Sequence, residues 1–588
     1  MAERLREELD WWLRWPSLLE AEMAAFSAKG AVANIVSDTN GCLMLGVEWP
    51  MGDRTVMLQV GYSPLHPHFR PTVSTNDLAF TRHQNPFDGG LCLLVQGSGQ
   101  WHAAEPLANL IDAQLAKIVA VNELRADSKW EQAGQLEEHA ADPLSAYFSG
   151  LSEDNSAIFM PSNPAIPKTG GGSAKFIGLW RSQQGPEGPF EAILRKCEPL
   201  AGNWLASAFD LPQRIGDWNN IPGRWVRLAG PVPKDPGEIL KAADAEFSRL
   251  AVMDKSFRPI AVMPDADLSI TAVVFDDELE YGAGGRGDGL LFLAVRRDRR
   301  KAGKRTVSLV RGFRVGDDLN SRLPVAASIR SKKILFLGCG AIGSFAAIEL
   351  ARAGIGAIRI VDHDTLEPGN SVRWPLGRPS WGLSKVAALH AFVVHNYPWT
   401  KTTGVRLRIG GAISDPNEIA NIEGNPRELL RGWISDADLV IDATASDECQ
   451  LAVASLCRDL HKPLVIGYAT EGAVGGIVVR LRPDSDGCLV CLHEHWNAGS
   501  VPLPPIDPAG SVVPLGCNAP TFTGGAFDLE EVSLEIVRSA IGLLAPEVRD
   551  LGDWEWSSLA LTKDGRRCLP QWSCGMIERH HRCQCGNA

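Results

Sequence analysis

Four parts of this chain combine residue types at spacings that could carry chemistry. The first is Gly338-x-Gly340-x-x-Gly343, between the apolar run Ile334–Leu337 and a helical stretch from Ser344 to Ala353. Asp362 ends the next apolar run, 24 residues after Gly338. In such a unit the first glycine permits a tight turn and the second lets phosphate approach the backbone. The third lets helix and strand pack closely, and the helix N-terminus favours an anion. Asp362 can accept hydrogen bonds from ribose hydroxyls. The second part is Asn370, Arg373 and Lys385. Two cations beside a phosphate-binding turn suit a triphosphate better than NAD, because they would neutralise pyrophosphate departing during attack at the α-phosphate. The third is a pair of separate thiols, Cys517 in SVVPLGCNAP and Cys92 in TRHQNPFDGGLCLL. A thiolate traps an acyl-adenylate, a high-energy mixed anhydride, as a thioester. The fourth is Cys488-x-x-Cys491, which needs two more ligands to close around a metal. The run from Cys568 to Cys585 offers Cys568, Cys574, His580, His581, Cys583 and Cys585 as candidates.

These groups need elements to hold them. Residues 3–28 have the apolar spacing of one amphipathic helix. Strand-like runs follow at Ala31–Asp38, Cys42–Glu48 and Arg54–Gly61, with Asn40-Gly41 as a hairpin signal. A Pro/His-rich stretch, the Cys92 loop and a helix over about 105–124 complete an α+β unit spanning 1–125. Residues 126–165 are polar, then rich in Pro and Ser, and read as a linker. Residues 166–325 read as a mixed middle α+β domain, with runs at Arg224–Ala229, Ile260–Met263, Ile270–Phe275, Leu290–Val295 and Thr306–Val310. The basic run Arg296–Lys301 within it reads as a solvated loop between two strands. From 326 to 588 the order becomes strand, glycine turn, helix, strand, with later strands at Leu439–Ala443 and Leu464–Tyr468. That order implies a Rossmann-like, doubly wound α/β domain. The fold class is therefore α/β and α+β multidomain.

Composition excludes several alternatives. The 588 residues are 45% hydrophobic and 22% charged, as in globular chains with real cores. A net charge of −12 disfavours a global grip on nucleic acid or anionic membrane. No apolar run reaches membrane-spanning length, and the start MAERLREELDWW lacks a secretory pattern. A cytoplasmic setting is expected, in which the 13 cysteines act as thiols, ligands or nucleophiles and not as disulfides.

The ordered set of glycine turn, VDHD, NSVR and Lys385 resembles the ThiF/MoeB and ubiquitin-activating superfamily over about 200 residues. That resemblance implies an adenylation domain using ATP and Mg²⁺, with Asp362 on the ribose and Asn370, Arg373 and Lys385 on the phosphates. The position at which the family carries its metal-holding acid falls on Ala445, which leaves Asp442 or Asp447 to substitute. An arginine ahead of the glycine turn, often reaching across a homodimer, would be Arg322, with Arg314 close behind. By the same resemblance Cys517 is the acyl acceptor, and Cys488, Cys491, Cys583 and Cys585 enclose a structural Zn²⁺. The Cys92 stretch resembles the active-site segment of ubiquitin-conjugating enzymes, with His83-Gln84-Asn85 replacing His-Pro-Asn. It implies a thioester on Cys92, with Asn85 orienting the loop or donating to an oxyanion.

Fusions in this order resemble bacterial activating–conjugating proteins of anti-phage systems, CBASS among them. The implied partners are a ubiquitin-like modifier or a cGAS-like nucleotidyltransferase, a target lysine and a JAB-type deconjugating peptidase. A sulfur-carrier adenylyltransferase of cofactor biosynthesis and a non-catalytic scaffold are the competing expectations.

Overall fold

The computed structural model describes residues 10–39, 41–94, 101–137, 142–149, 151, 155–161, 166–168, 170–181, 183, 187–198, 205–206, 219–253, 267–280, 285–298, 304–315, 322–410, 425–512 and 521–585. The chain divides into two compact units, one ending at Arg314 and the other beginning at Val315.

The first unit begins with helices α1 (Trp11–Arg14) and α2 (Pro16–Ala28). One helix was expected here. Pro16 breaks it, because proline disfavours helical geometry in the residue before it, and Trp15 sits at φ −129° and ψ 71°. An antiparallel meander follows: β1 (Val32–Thr39), β2 (Cys42–Met51), β3 (Arg54–Tyr62) and β4 (Thr72–Ser74). Alternate residues Leu43, Leu45, Val47 and Trp49 of β2 and Val56, Leu58, Val60 and Tyr62 of β3 are buried. They pack with Phe26 and with Leu107, Ile111 and Leu115 of α3 (Leu107–Ala126).

The expected linker is structured where it is described. It carries α4 (Trp130–Leu136), α5 (Leu144–Ser149) and β5 (Ala157–Pro161). The polar composition of this stretch hid a few anchors: buried Ala133 and Phe148, and Glu137 at the end of α4.

The strand β5 then joins β6 (Gly171–Trp180), β7 (Phe190–Cys197), β8 (Leu205–Ala206) and β9 (Asn219–Arg227) in a sheet. After α6 (Pro236–Met253) come β10 (Leu268–Glu280), β11 (Gly285–Asp298) and β12 (Lys304–Val315). The strand order is β5-β12-β11-β10-β9-β6-β7-β8, and β5 also pairs with β7, so the sheet closes on itself as a barrel. Side chains alternate as the pleat requires. Ile270, Ala272, Val274, Phe292 and Ala294 fill one face, while Val273, Phe275, Leu291 and Leu293 pack on the other with Phe148, Ile239 and Phe247. The run Arg296–Lys301 is not all loop, since Arg296 to Asp298 still pair in β11. Ile260–Met263 lies outside the described residues.

The second unit holds α7 (Val325–Ile329), β13 (Lys333–Leu337), α8 (Ala341–Arg352), β14 (Ala357–Asp362), α9 (Lys385–Asn396) and β15 (Lys401–Arg406). It continues with α10 (Pro426–Asp436), β16 (Leu439–Asp442), α11 (Asp447–Asp459), β17 (Leu464–Ala469), β18 (Gly475–Leu481) and α12 (Leu489–Asn497). A small hairpin, β19 (Ser511–Val512) and β20 (Thr521–Phe522), precedes α13 (Ala526–Leu544), β21 (Trp556–Lys563) and β22 (Arg566–Gly575). The strands run β15-β14-β13-β16-β17-β18-β21-β22, parallel through β17 and antiparallel after it. Both faces are covered, one by α8, α9 and α13 and the other by α10, α11 and α12. That coverage is why the central strands read as unbroken apolar runs. Strand order reverses between β13 and β16, and a crevice opens there beyond their carboxyl ends. No helix of the described residues is long and apolar enough to cross a membrane.

Candidate active site

A cavity of about 510 Å³ occupies that crevice. The glycine turn forms its floor. Gly338 has φ +85°, and a Cβ there would meet the Ala443–Thr444 peptide at 2.7 Å. A Cβ on Gly343 would meet the Gly338 carbonyl at 2.0 Å, so helix and turn touch backbone to backbone. Gly340 faces open space and precedes α8, whose first N–H groups lack intrahelical partners. An anion fits against that end.

Asp362, at the end of β14, accepts from Cys339 N at 2.5 Å and from Asp364 N at 2.8 Å. It pins the turn while still lining the cavity. Lys385 opens α9, whose cap Ser384 accepts from Ala387 N, and its Nζ lies 2.5 Å from Asp364. Burial works against the Asp364 charge, but the Lys385 bond and field hold its carboxyl below the usual range. Arg373 donates to the Phe522 carbonyl at 2.6 Å and to Thr521 Oγ1, and lies over the Phe522 ring. It therefore ties the cavity to β20. Asn370 turns inward on its own segment, its Oδ1 accepting from Glu367 N at 3.0 Å. Gly338, Gly340, Asp362, Asn370, Arg373 and Lys385 all line this one cavity.

The two acids named for a metal part company. Asp442 is fully buried, and its Oδ1 accepts from Thr444 N and Oγ1. Burial lifts its pKa to about 6 against the pull of these bonds. It supports the turn after β16 from below. Asp447 is exposed at the first turn of α11, two residues past cavity-lining Ala445. Arg322 is exposed ahead of α7 and is not among the described cavity-lining residues. Arg314 is engaged within the first unit, donating to the Asp288 carbonyl. Cys517 lies outside the described residues, between the strands of the β19–β20 hairpin.

Sequence reasoning missed His363, Trp374, Arg408 and Cys449 in the cavity wall. Arg408 follows β15 and Cys449 follows the turn after β16, so the strand order was the signal that could have found them.

The four cysteines named for a metal converge. Their sulfurs lie within 4.8 Å of one another, with Cys488–Cys491 at 3.9 Å and Cys488–Cys583 and Cys491–Cys585 at 3.5 Å. A tetrahedron of Zn–S bonds near 2.3 Å has edges of about 3.8 Å. The tetrad fits Zn²⁺, and it fastens the end of the chain to α12.

In the first unit, Cys92 is a half-buried thiol held by its backbone, its N–H donating to the His83 carbonyl at 2.8 Å. Burial raises its pKa, Asp142 adds to that, and Arg70 opposes it. His83 sits in the left-handed region at φ 61°, and its Nε2 lies 2.7 Å from Glu137 Oε1. Gln84 is buried and knits the loop, donating to the Thr75 and Leu78 carbonyls and accepting from Phe80 N. Asn85 accepts from Phe87 N at 2.9 Å and so orients the same loop. Tyr147 of α5 belongs to this neighbourhood. Its hydroxyl pKa is pushed to about 12 by burial, then by Asp142, Cys92 and Asp88.

Among known proteins, y4oA of Sinorhizobium fredii (strain NBRC 101917 / NGR234) is 49% identical over 586 residues, covering 99% of each chain. This chain belongs to the y4oA family. A second relative from the same organism, y4qC, is 30% identical over 577 residues, covering 93% of this chain and 92% of its own. Within this y4oA-family chain, residues 319–514 match the ThiF family and form a ThiF-family domain. The ATP-dependent ubiquitin transferase-like protein Cap2 of Enterobacter hormaechei subsp. hoffmannii (strain UCI 50) is 28% identical over 214 residues, which is 36% of this chain and 33% of Cap2.

Proposed function

We propose that the protein activates a protein's C-terminal carboxylate with ATP and passes the acyl group from sulfur to sulfur onto an amine. A carboxylate oxygen attacks the α-phosphorus of ATP, the bond to the β-phosphate oxygen breaks, and pyrophosphate leaves. Cys517 then attacks the acyl carbon as thiolate and AMP departs. Cys92 takes the acyl group by thioester exchange, and a target lysine amine displaces it, losing a proton to form an amide. The observation that carries the reading is the convergence of Arg373 and Lys385 with the glycine turn and Asp362 in one cavity. Two cations on the phosphate side suit a departing pyrophosphate. Asp447 is the acid open to a phosphate-bound Mg²⁺, which adds positive charge there when bound. The cysteine tetrad is read as a structural Zn²⁺ site.

A ubiquitin-like modifier or a cGAS-like nucleotidyltransferase as the activated protein, a JAB-type peptidase as its antagonist, assembly as a homodimer with Arg322 reaching across, and a role in anti-phage defence complete the proposal. The ThiF-family domain and the similarity to the ATP-dependent ubiquitin transferase-like protein Cap2 support the activation step. The test is ATP–pyrophosphate exchange with trapping of reductant-sensitive adducts. Exchange with no adduct on Cys517 or Cys92 would leave adenylation alone, as in a sulfur-carrier adenylyltransferase. No exchange with any C-terminal substrate would refute the reading.

A further inference from the structure

The two peptides that flank Cys339 in the glycine turn are each held by one bond. Cys339 N donates to Asp362, and the Cys339 carbonyl accepts from Trp374 Nε1 at 2.8 Å. The next carbonyl, that of Gly340, accepts from Ser344 Oγ at 2.6 Å. Glycines on either side of Cys339 leave the backbone many conformations, and Gly338 already uses one that other residues rarely adopt. Asp362 and Ser344 each restrain one side of the turn. Trp374, which also lines the cavity, restrains the carbonyl between them. The indole is 5% exposed and packs in the core with Cys339, so its bond is shielded from water.

We propose that Trp374 is a positioning residue of the nucleotide site. By holding the Cys339 carbonyl, its indole N–H fixes the orientation of the Gly340 N–H in the same peptide plane, one of the donors against which the phosphates lie. Without that donor, the buried carbonyl must find another partner, and the Cys339–Gly340 peptide is the part of the turn then free to rotate. Trp374 also follows Arg373 directly. The dipeptide thus bridges the glycine turn, through the indole, and the β19–β20 hairpin, through the guanidinium.

The inference rests on the nucleotide reading above, and the experiment separates the two. Binding of MgATP and of adenosine is measured by calorimetry on the full chain, for wild type, Trp374→Phe and Trp399→Phe. Trp399 supplies the control, because its Nε1 donates to the Ala351 carbonyl at 2.7 Å away from the cavity. Trp374→Phe is expected to weaken MgATP about tenfold, because binding must then return the released peptide to its phosphate-facing orientation, and to leave adenosine unchanged. Trp399→Phe is expected to change neither. Should Trp374→Phe fold poorly, 3-benzothienylalanine at 374 keeps the bicyclic volume, lacks the N–H and should show the same selective loss. Equal MgATP affinity in wild type and the 374 variants overturns the inference, as does a parallel loss of adenosine or the same loss at 399. A wild type that binds no MgATP overturns the nucleotide reading itself, and this inference with it.

Discussion

Glu137 is the residue whose removal tests how the Cys92 loop is held. Its carboxylate is 2% exposed and lies 2.7 Å from Arg82 Nε, 2.7 Å from His83 Nε2 and 3.2 Å from Arg125 Nη2. Burial alone would raise its pKa, but the His83 and Arg82 bonds outweigh it and bring the value from 4.5 to about 2. That gap is worth about 3 kcal/mol in favour of the folded, ionised form. The carboxyl is depressed, so the contribution is complete above pH 4.5. It is lost as pH falls from 4.5 to about 2. Glu137→Gln removes it at every pH and leaves Arg82, His83 and Arg125 facing a neutral amide. The expected cost at pH 7 is therefore about 3 kcal/mol, shrinking toward nothing near pH 2. The readout is alkylation of Cys92 against urea, resolved by peptide mass spectrometry, because the Cys92 N–H hangs from the His83 carbonyl. The variant should expose Cys92 at lower urea. Equal midpoints at pH 7, or a difference that widens as pH falls, would refute the reasoning.

Asp142→Asn should lower the Cys92 pKa and speed its alkylation at pH 7, and Arg70→Ala should slow it, because these groups act on the thiol with opposite sign. Asp442→Asn should raise the melting temperature at pH 7 and leave MgATP binding intact. The buried acid, shifted from 3.8 to about 6, destabilises the fold by about 3 kcal/mol once pH passes 6. Loss of MgATP binding in that variant would instead make Asp442 a metal ligand. Metal analysis should find one zinc per chain, and Cys583→Ser should abolish it and lower the melting temperature. A wild type free of zinc after purification without chelator would refute the tetrad's assignment.

What the sequence made legible follows from the range over which each signal acts. The glycine turn and Asp362 are local, joined by one βαβ unit, and steric demands at Gly338 and Gly343 leave few alternatives to glycine. The pairing of Cys488 and Cys491 with Cys583 and Cys585 spans 94 or 95 residues. Metal chemistry limited the candidates to thiolates and imidazoles, and the resemblance to sites built from two cysteine pairs, not spacing, pointed to Cys583 and Cys585 within the run from Cys568 to Cys585. The barrel was not legible. Its closure depends on β5 pairing with both β7 and β12, and a strand of five residues within a polar stretch carries no periodicity strong enough to announce it. Trp374 escaped for a related reason. An apolar residue beside a charged motif reads as packing, and only the fold shows its N–H meeting a carbonyl 35 residues earlier in the chain. Asp442 and Asp447 show the converse. Both were legible as acids near the right turn, but burial alone separates them, and burial depends on what α11 and the sheet cover. Residue identity therefore singled out residues that line one cavity, while the division between groups that support it and groups that face it came from long-range packing.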